Sequence, residues 1–206
     1  TLHRDLDIVI IDAFNPFGFG RLLPAGLLRE PVSSLERADV LWIAKADSIM
    51  PEARRRLVDM LKNDFPGKPI VESTYRPLRV RSWSDPAQTL DPEELSGRKS
   101  VCLSGIGNPE SFEGLVSRIC GRRPVAFRFT DHHPFGNGDL GAVEDEAIRR
   151  SADIVVTTEK DAVRIPGYFK PRVDFWILEV GVDILDVHGS LAQFPHLEGI
   201  AAGEQS

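Results

Sequence analysis

The sequence predicts an α/β fold built on a mostly parallel sheet with flanking helices. Two observations carry that expectation. Short apolar runs alternate with helical patterns over units of about 30 residues, which implies βαβ crossovers. In addition, polar tips at 104–109, 131–138 and 157–161 each follow a strand pattern. Open α/β sheets gather ligands at the carboxyl ends of their strands, so these tips are expected to converge on one cleft.

Ile8-Val9-Ile10-Ile11 is a continuous β-branched run between Asp7 and Asp12. Such runs fit a strand covered on both faces. Residues 14–31 are rich in Gly and Pro without periodicity, and a loop of that length inside a domain is usually functional. Val40–Ala44 reads as a strand. Pro51–Phe65 reads as a helix with Leu57, Val58 and Leu61 on its apolar face. Pro69–Val71 is the next strand, and 74–98 reads as a polar meander with a short hairpin. Ser100–Leu103 is a strand, followed by a helix with Phe112, Leu115, Val116 and Ile119 on one stripe. Val125–Phe129 alternates with period two. Leu140–Arg150 is a helix, Asp153–Val156 a strand, and Thr157–Asp161 the turn after it. Phe175–Val180 is a late strand, and the tail from Gly199 reads as frayed.

Composition narrows the function classes. The 206 residues are 42% hydrophobic and 27% charged, as in ordinary globular proteins rather than disordered ones. A net charge of -6 argues against non-specific nucleic-acid binding, which needs an excess of Lys and Arg. Cys102 and Cys120 lie in apolar periodic stretches and read as reduced core residues. There is no apolar run of the ~18 residues that a membrane-spanning helix needs. The chain opens Thr-Leu-His, without an initiator Met or a signal-peptide pattern, and is expected to begin mid-protein.

Four constellations carry chemistry. In the loop Gly18 to Pro31, glycines let backbone amides approach an anion, Arg29 can fork onto phosphate oxygens, and Glu30 can bind Mg²⁺ or orient a hydroxyl. A structural loop with one surface ion pair fits the same composition. Asp131-His132-His133 joins a carboxylate to histidine at a strand end, suiting general acid–base work or metal ligation. Adjacent histidines cannot both face one way on a strand, so at most one of them is expected to enter the site. A polar turn with a satisfied histidine is the plainer alternative. In Thr157-Thr158-Glu159-Lys160-Asp161, Thr158 and Asp161 read as helix caps, and Lys160 can hold phosphate near that helix start. Ser104 to Glu110 reads as a structural helix start, with Asn108 as cap and Pro109 at the first helical position. No G-x-x-x-x-G-K-[ST] pattern occurs in the chain.

Together these segments resemble a known family. Gly20-Arg21-Leu22-Leu23-Pro24-Ala25-Gly26 followed by Leu28-Arg29-Glu30-Pro31 is similar to the G-R-L-L-P-A-G-x-L-R-E-P signature of tetraacyldisaccharide 4'-kinases. So are Leu103 to Pro109, Phe129 to His132 (F-x-D-H), and Val156 to Ala162. Phe19 stands where the family often has Asn, and Leu27 where it often has Pro. The resemblance implies a P-loop NTPase-like kinase of two lobes joined by a β-stranded hinge. On it, residues 1–35 are a remnant of the nucleotide-binding lobe with the Arg-Glu loop, 36–174 the second α/β lobe, and 175–206 the return strand and tail.

It further implies ATP-dependent phosphorylation of the 4'-hydroxyl of a tetraacyl glucosamine disaccharide 1-phosphate in lipid A biosynthesis. The site would be the cytoplasmic face of the bacterial inner membrane, with peripheral membrane contact. ATP and Mg²⁺ are the implied cofactors. Arg29 would pair with phosphate oxygens and Glu30 would hold Mg²⁺. His132 would pair with an upstream Asp that deprotonates the sugar hydroxyl, and Asp131 would orient His132. Lys160 would be a further phosphate contact. The family's Walker A loop and proposed catalytic-base Asp precede the segment matched here, so this chain alone is expected to be inactive. Two other readings stand beside this one. A non-catalytic relative would bind a phosphosugar or a partner. An Mn²⁺-dependent Asp-His-His phosphoesterase would need further Asp ligands and a late Gly-rich His motif, and neither occurs in the sequence.

Overall fold

The structure is a computed structural model and describes residues 4–185 and Gly189. The chain forms two compact units. One comprises residues 1–76 with 182–206, the other residues 77–181.

In the first unit, β1 (Ile8–Asp12) lies parallel to β2 (Val40–Ala44), with Ile8 opposite Val40 and Asp12 opposite Ala44. The start of β3 (Ile70–Ser82) continues the parallel order, with Leu41 opposite Ile70. Helix α1 (Pro51–Asp64) starts with proline at its first position, where the missing N–H has no intrahelical partner to lose. Its buried face is Leu57, Val58 and Leu61, which pack on Ile11, Leu41, Ile43 and Ile70. The i, i+1, i+4 spacing is what a helix needs to lay one stripe on a sheet. Ile10 departs from the expectation of a strand covered on both faces. It is 70% exposed. Ile8, two residues before it, packs with Val40 and Val71, but that face of the strand is open at Ile10.

In the second unit the end of β3 pairs antiparallel with β4 (Thr89–Leu90). This is the expected short hairpin. However, β3 itself runs 13 residues where the sequence pattern placed a strand only to Val71. The parallel strands are β5 (Ser100–Ser104), β6 (Val125–Arg128), β7 (Ile154–Thr158) and β8 (Phe175–Leu185). Their lateral order is β8-β7-β5-β6. Every residue of β5 is buried. Cys102 faces a cluster with Phe112, Leu115, Val116 and Cys120 of α2 (Pro109–Cys120). Val101 and Leu103 face Leu140, Val143 and Ala147 of α3 (Asn137–Arg149). The period-two alternation of a strand thus feeds two cores, one on each face of the sheet. Burial of each such aliphatic or aromatic side chain contributes about 1.5–3 kcal/mol before entropy. Both cysteines are free and buried, as expected.

A short helix, α4 (Glu159–Ala162), follows β7 directly. β2, α1 and the start of β3 share a sheet and core with β1. The tail from Gly199 lies outside the described residues.

Candidate functional site

The loop after β1 is built by its own backbone. Leu23 and Leu28 donate to the carbonyls of Leu28 and Arg21 at 2.8 and 3.1 Å, and Gly26 donates to Leu22 at 2.9 Å. Gly26 has no room for a side chain. A Cβ there would overlap the Arg21 carbonyl oxygen and lie 2.6 Å from its carbon. This tight fold presents Arg29 and Glu30 to solvent. Glu30 is paired, and its partner is Arg37 rather than Arg29: Oε2 accepts from the guanidinium at 2.5 Å. The hydrogen bond from Arg37, helped by one from Ser34, holds the Glu30 carboxyl below the usual carboxylate range. At the base of the loop, Asp12 at the end of β1 pairs with Lys45, just past β2, at 2.5 Å. Lys45 has a left-handed backbone, φ 59. Such backbone conformations persist only where the surroundings hold them.

In the second unit the three polar tips do converge at the carboxyl ends of β5, β6 and β7. Gly105 is their meeting point. Its N–H donates to Oδ1 of Asp161 at 3.1 Å, and its carbonyl accepts from the backbone N–H of His132 at 3.1 Å. Phe129 N–H donates to the Ser104 carbonyl at 2.8 Å. Asp161 is fully buried. It accepts from Thr158 Oγ1 at 2.7 Å and pairs with Arg164, while its own N–H donates back to Thr158 Oγ1 at 3.1 Å. The Thr158 cap is therefore as the sequence suggested, and so is Asn108, whose Oδ1 accepts from Ser111 N–H at 3.1 Å.

The two histidines separate in the turn that follows β6, where His132 takes a left-handed backbone. His132 points outward with its side chain 86% exposed and a left-handed backbone, φ 61. Its Nε2 lies 3.7 Å from Oδ2 of Asp131, beyond hydrogen-bond distance. His133 points inward, stacked on Phe129 with centroids 4.7 Å apart and edge-on to Phe135 at 5.5 Å. Its Nε2 lies 3.0 Å from Oδ2 of Asp139. The Gly136 N–H and then the His133 ring hold the Asp139 carboxyl below its ordinary value. Lys160 is exposed, and its carbonyl accepts from Arg164 Nε at 3.2 Å.

Arg29 and Glu30 thus belong to the first unit, and Asp131, His132 and Lys160 to the second. Sequence reasoning missed Arg164, Asp139 and the Asp12–Lys45 pair. Asp12 at a strand end was a usable signal. Arg164, three residues after a cap residue on a short helix, gave none. Among the described residues, no three His, Cys, Asp or Glu side chains gather as a metal site, and no helix is long and apolar enough to cross a membrane.

The model of the tetraacyldisaccharide-1-P 4'-kinase family matches residues 1–195. The chain belongs to the tetraacyldisaccharide 4'-kinase family. Relatives bearing the name tetraacyldisaccharide 4'-kinase include that of Anaeromyxobacter dehalogenans, 42% identical over 166 residues, covering 80% of this chain and 43% of the relative. That of Syntrophobacter fumaroxidans is 37% identical over 180 residues, covering 87% of this chain and 46% of the relative. A crystal structure of LpxK from Aquifex aeolicus in complex with ATP is similar in fold. Its TM-score is 0.57 at 23% identity, covering 97% of this chain and 53% of that one. The chain therefore spans about half the length of the family members it matches. Within that half, the tetraacyldisaccharide 4'-kinase signature Gly20 to Gly26 is the self-bonded loop, and Gly26 is there because nothing larger fits.

Proposed function

We propose that this chain supplies part of the machinery that transfers the γ-phosphoryl group of ATP to the 4'-hydroxyl of a tetraacyl glucosamine disaccharide 1-phosphate. The family match over residues 1–195 carries the proposal. The gathering of three motif-bearing tips around Gly105 supports it.

Phosphoryl transfer is mostly positioning and neutralisation of charge. Arg29, exposed on a self-supporting loop, pairs with phosphate oxygens. Hydrogen bonds from Arg37 and Ser34 hold the Glu30 carboxyl below its ordinary value and so favour the carboxylate. Arg37 engages one of its oxygens, and Glu30 is the carboxylate that would hold Mg²⁺. That fits an ion held by one or two carboxylates, phosphates and water. Mg²⁺ supplies charge neutralisation when bound. Lys160, exposed beside a capped helix start, is a further phosphate contact. His132 serves the acid–base end of the reaction, and Asp131 orients it after closing the 3.7 Å gap. The substrate's acyl chains favour a reaction at a membrane surface, and the use of ATP favours the cytoplasmic face of the bacterial inner membrane.

The test is His132→Ala in the whole kinase carrying this chain. The expected result is a kcat lower by about 10²-fold or more. An unchanged kcat removes His132 from the reaction. The pattern G-x-x-x-x-G-K-[ST] does not occur in these 206 residues, which favours a second reading for the chain by itself, as a module that binds phosphosugar without transferring phosphate. Calorimetric titration of the chain alone with ATP decides that point, since a chain that binds ATP tightly contradicts it.

A further inference from the structure

Gly105 in the second unit is held at both of the peptide groups that flank its Cα. The N–H of Gly105 donates to Asp161 Oδ1 at 3.1 Å. Its carbonyl accepts from Arg164 Nη2 at 3.0 Å and from the His132 N–H at 3.1 Å. Arg164 also pairs with Asp161 through the same Nη2. One carbonyl therefore joins the part-buried guanidinium to the backbone of His132.

The guanidinium is held firmly and at some cost. Its side chain is 18% exposed, Nε donates to the Lys160 carbonyl at 3.2 Å, and its plane carbon lies 5.8 Å from the Phe135 ring centre. Nη1 is enclosed and has no hydrogen-bond partner. An enclosed, unmatched donor is unfavourable and asks for a reason. A fork of donors in fixed geometry can serve a carboxylate and a carbonyl together, and a lysine ammonium does so less well. Meanwhile His132 keeps a left-handed backbone that a residue with a side chain holds only under constraint.

We propose that Arg164 is a positioning residue for His132: with Asp161 it fixes the Gly105 carbonyl from which the His132 backbone hangs. Its catalytic consequence rests on the assignment of His132 to phosphoryl transfer, whereas the positioning rests on this geometry alone.

Two measurements test it separately. The first is hydrogen exchange at the His132 backbone amide in this chain, compared among wild type, Arg164→Ala and Arg164→Lys. Exchange at His132 should quicken by about tenfold in Arg164→Ala while the amides of β5 hold their protection, the mark of a local opening. Arg164→Lys should lie between, and it serves as the test if the alanine variant does not fold. Unchanged exchange at His132, or equal loosening of β5, overturns the proposal.

The second is a double-mutant cycle in the whole kinase. Arg164→Ala should lower kcat about tenfold with the KM for ATP unchanged, and should cost nothing more in a His132→Ala background, because the two act as one unit. The same loss in both backgrounds overturns it. If His132→Ala alone leaves kcat intact, the catalytic assignment fails, and the exchange result by itself decides the positioning.

Discussion

Asp161, fully buried, accepts the backbone N–H of Gly105 at 3.1 Å across 56 residues of sequence. The same carboxylate holds Thr158 and Arg164. Removing one member of a buried charged network leaves the others uncompensated. Asp161→Ala is therefore expected to destabilise the chain by about 3–5 kcal/mol in urea denaturation, and Asp161→Asn by less.

Glu179 on β8 predicts the acid limb of stability. Burial pushes its carboxyl up, but hydrogen bonds from Arg81 at 2.7 Å and Arg79 at 2.5 Å outweigh that and leave it below its ordinary 4.5. A depressed carboxyl contributes stability that is fully present above the unfolded value and is lost as pH falls through the folded one. The melting temperature of the wild type should therefore fall as pH drops below 4.5. In Glu179→Gln the melting temperature should start lower at neutral pH and vary less over that range.

Gly26→Ala should break the loop that carries Arg29 and Glu30, since the added carbon collides with backbone rather than with a movable side chain. The loss is local. Limited proteolysis between residues 18 and 30 should speed up, while α1 and its core, which lie outside the loop, keep their protection.

The Glu30–Arg37 pair should matter little for folding. Both side chains are more than half exposed, and pairs of this kind are worth about 0–1 kcal/mol. Arg37→Ala should leave the denaturation midpoint nearly unchanged, so an effect on phosphate transfer in the whole kinase would report Glu30's freedom rather than unfolding.

The parts legible in sequence were those with a local signal. Asn108 and Pro109 announce the start of α2, Leu57, Val58 and Leu61 the buried stripe of α1, and Ile154 to Val156 a buried parallel strand. The convergence of the tips followed from topology. The length of β3 did not, because Pro77 and the alternating arginines mimic a meander. Those arginines are explained only by Glu179, about 100 residues away in sequence. His133 and Asp139 are six residues apart, and no strand or helix period brings such a pair together. The partner of Glu30 was likewise open until the 3-10 turn Val32–Arg37 placed Arg37 beside it.

The order of strands also sets an order of events. β5 finds β6 with only α2 between them, but it must wait for β7 on its other side, some 50 residues later. On a ribosome, the turn at Gly105 emerges long before the carboxylate that anchors it. The histidine-bearing tip therefore takes its final shape only after Asp161 and Arg164 have been synthesised, and a nascent chain stalled short of them would carry the sheet's early strands with that corner unset.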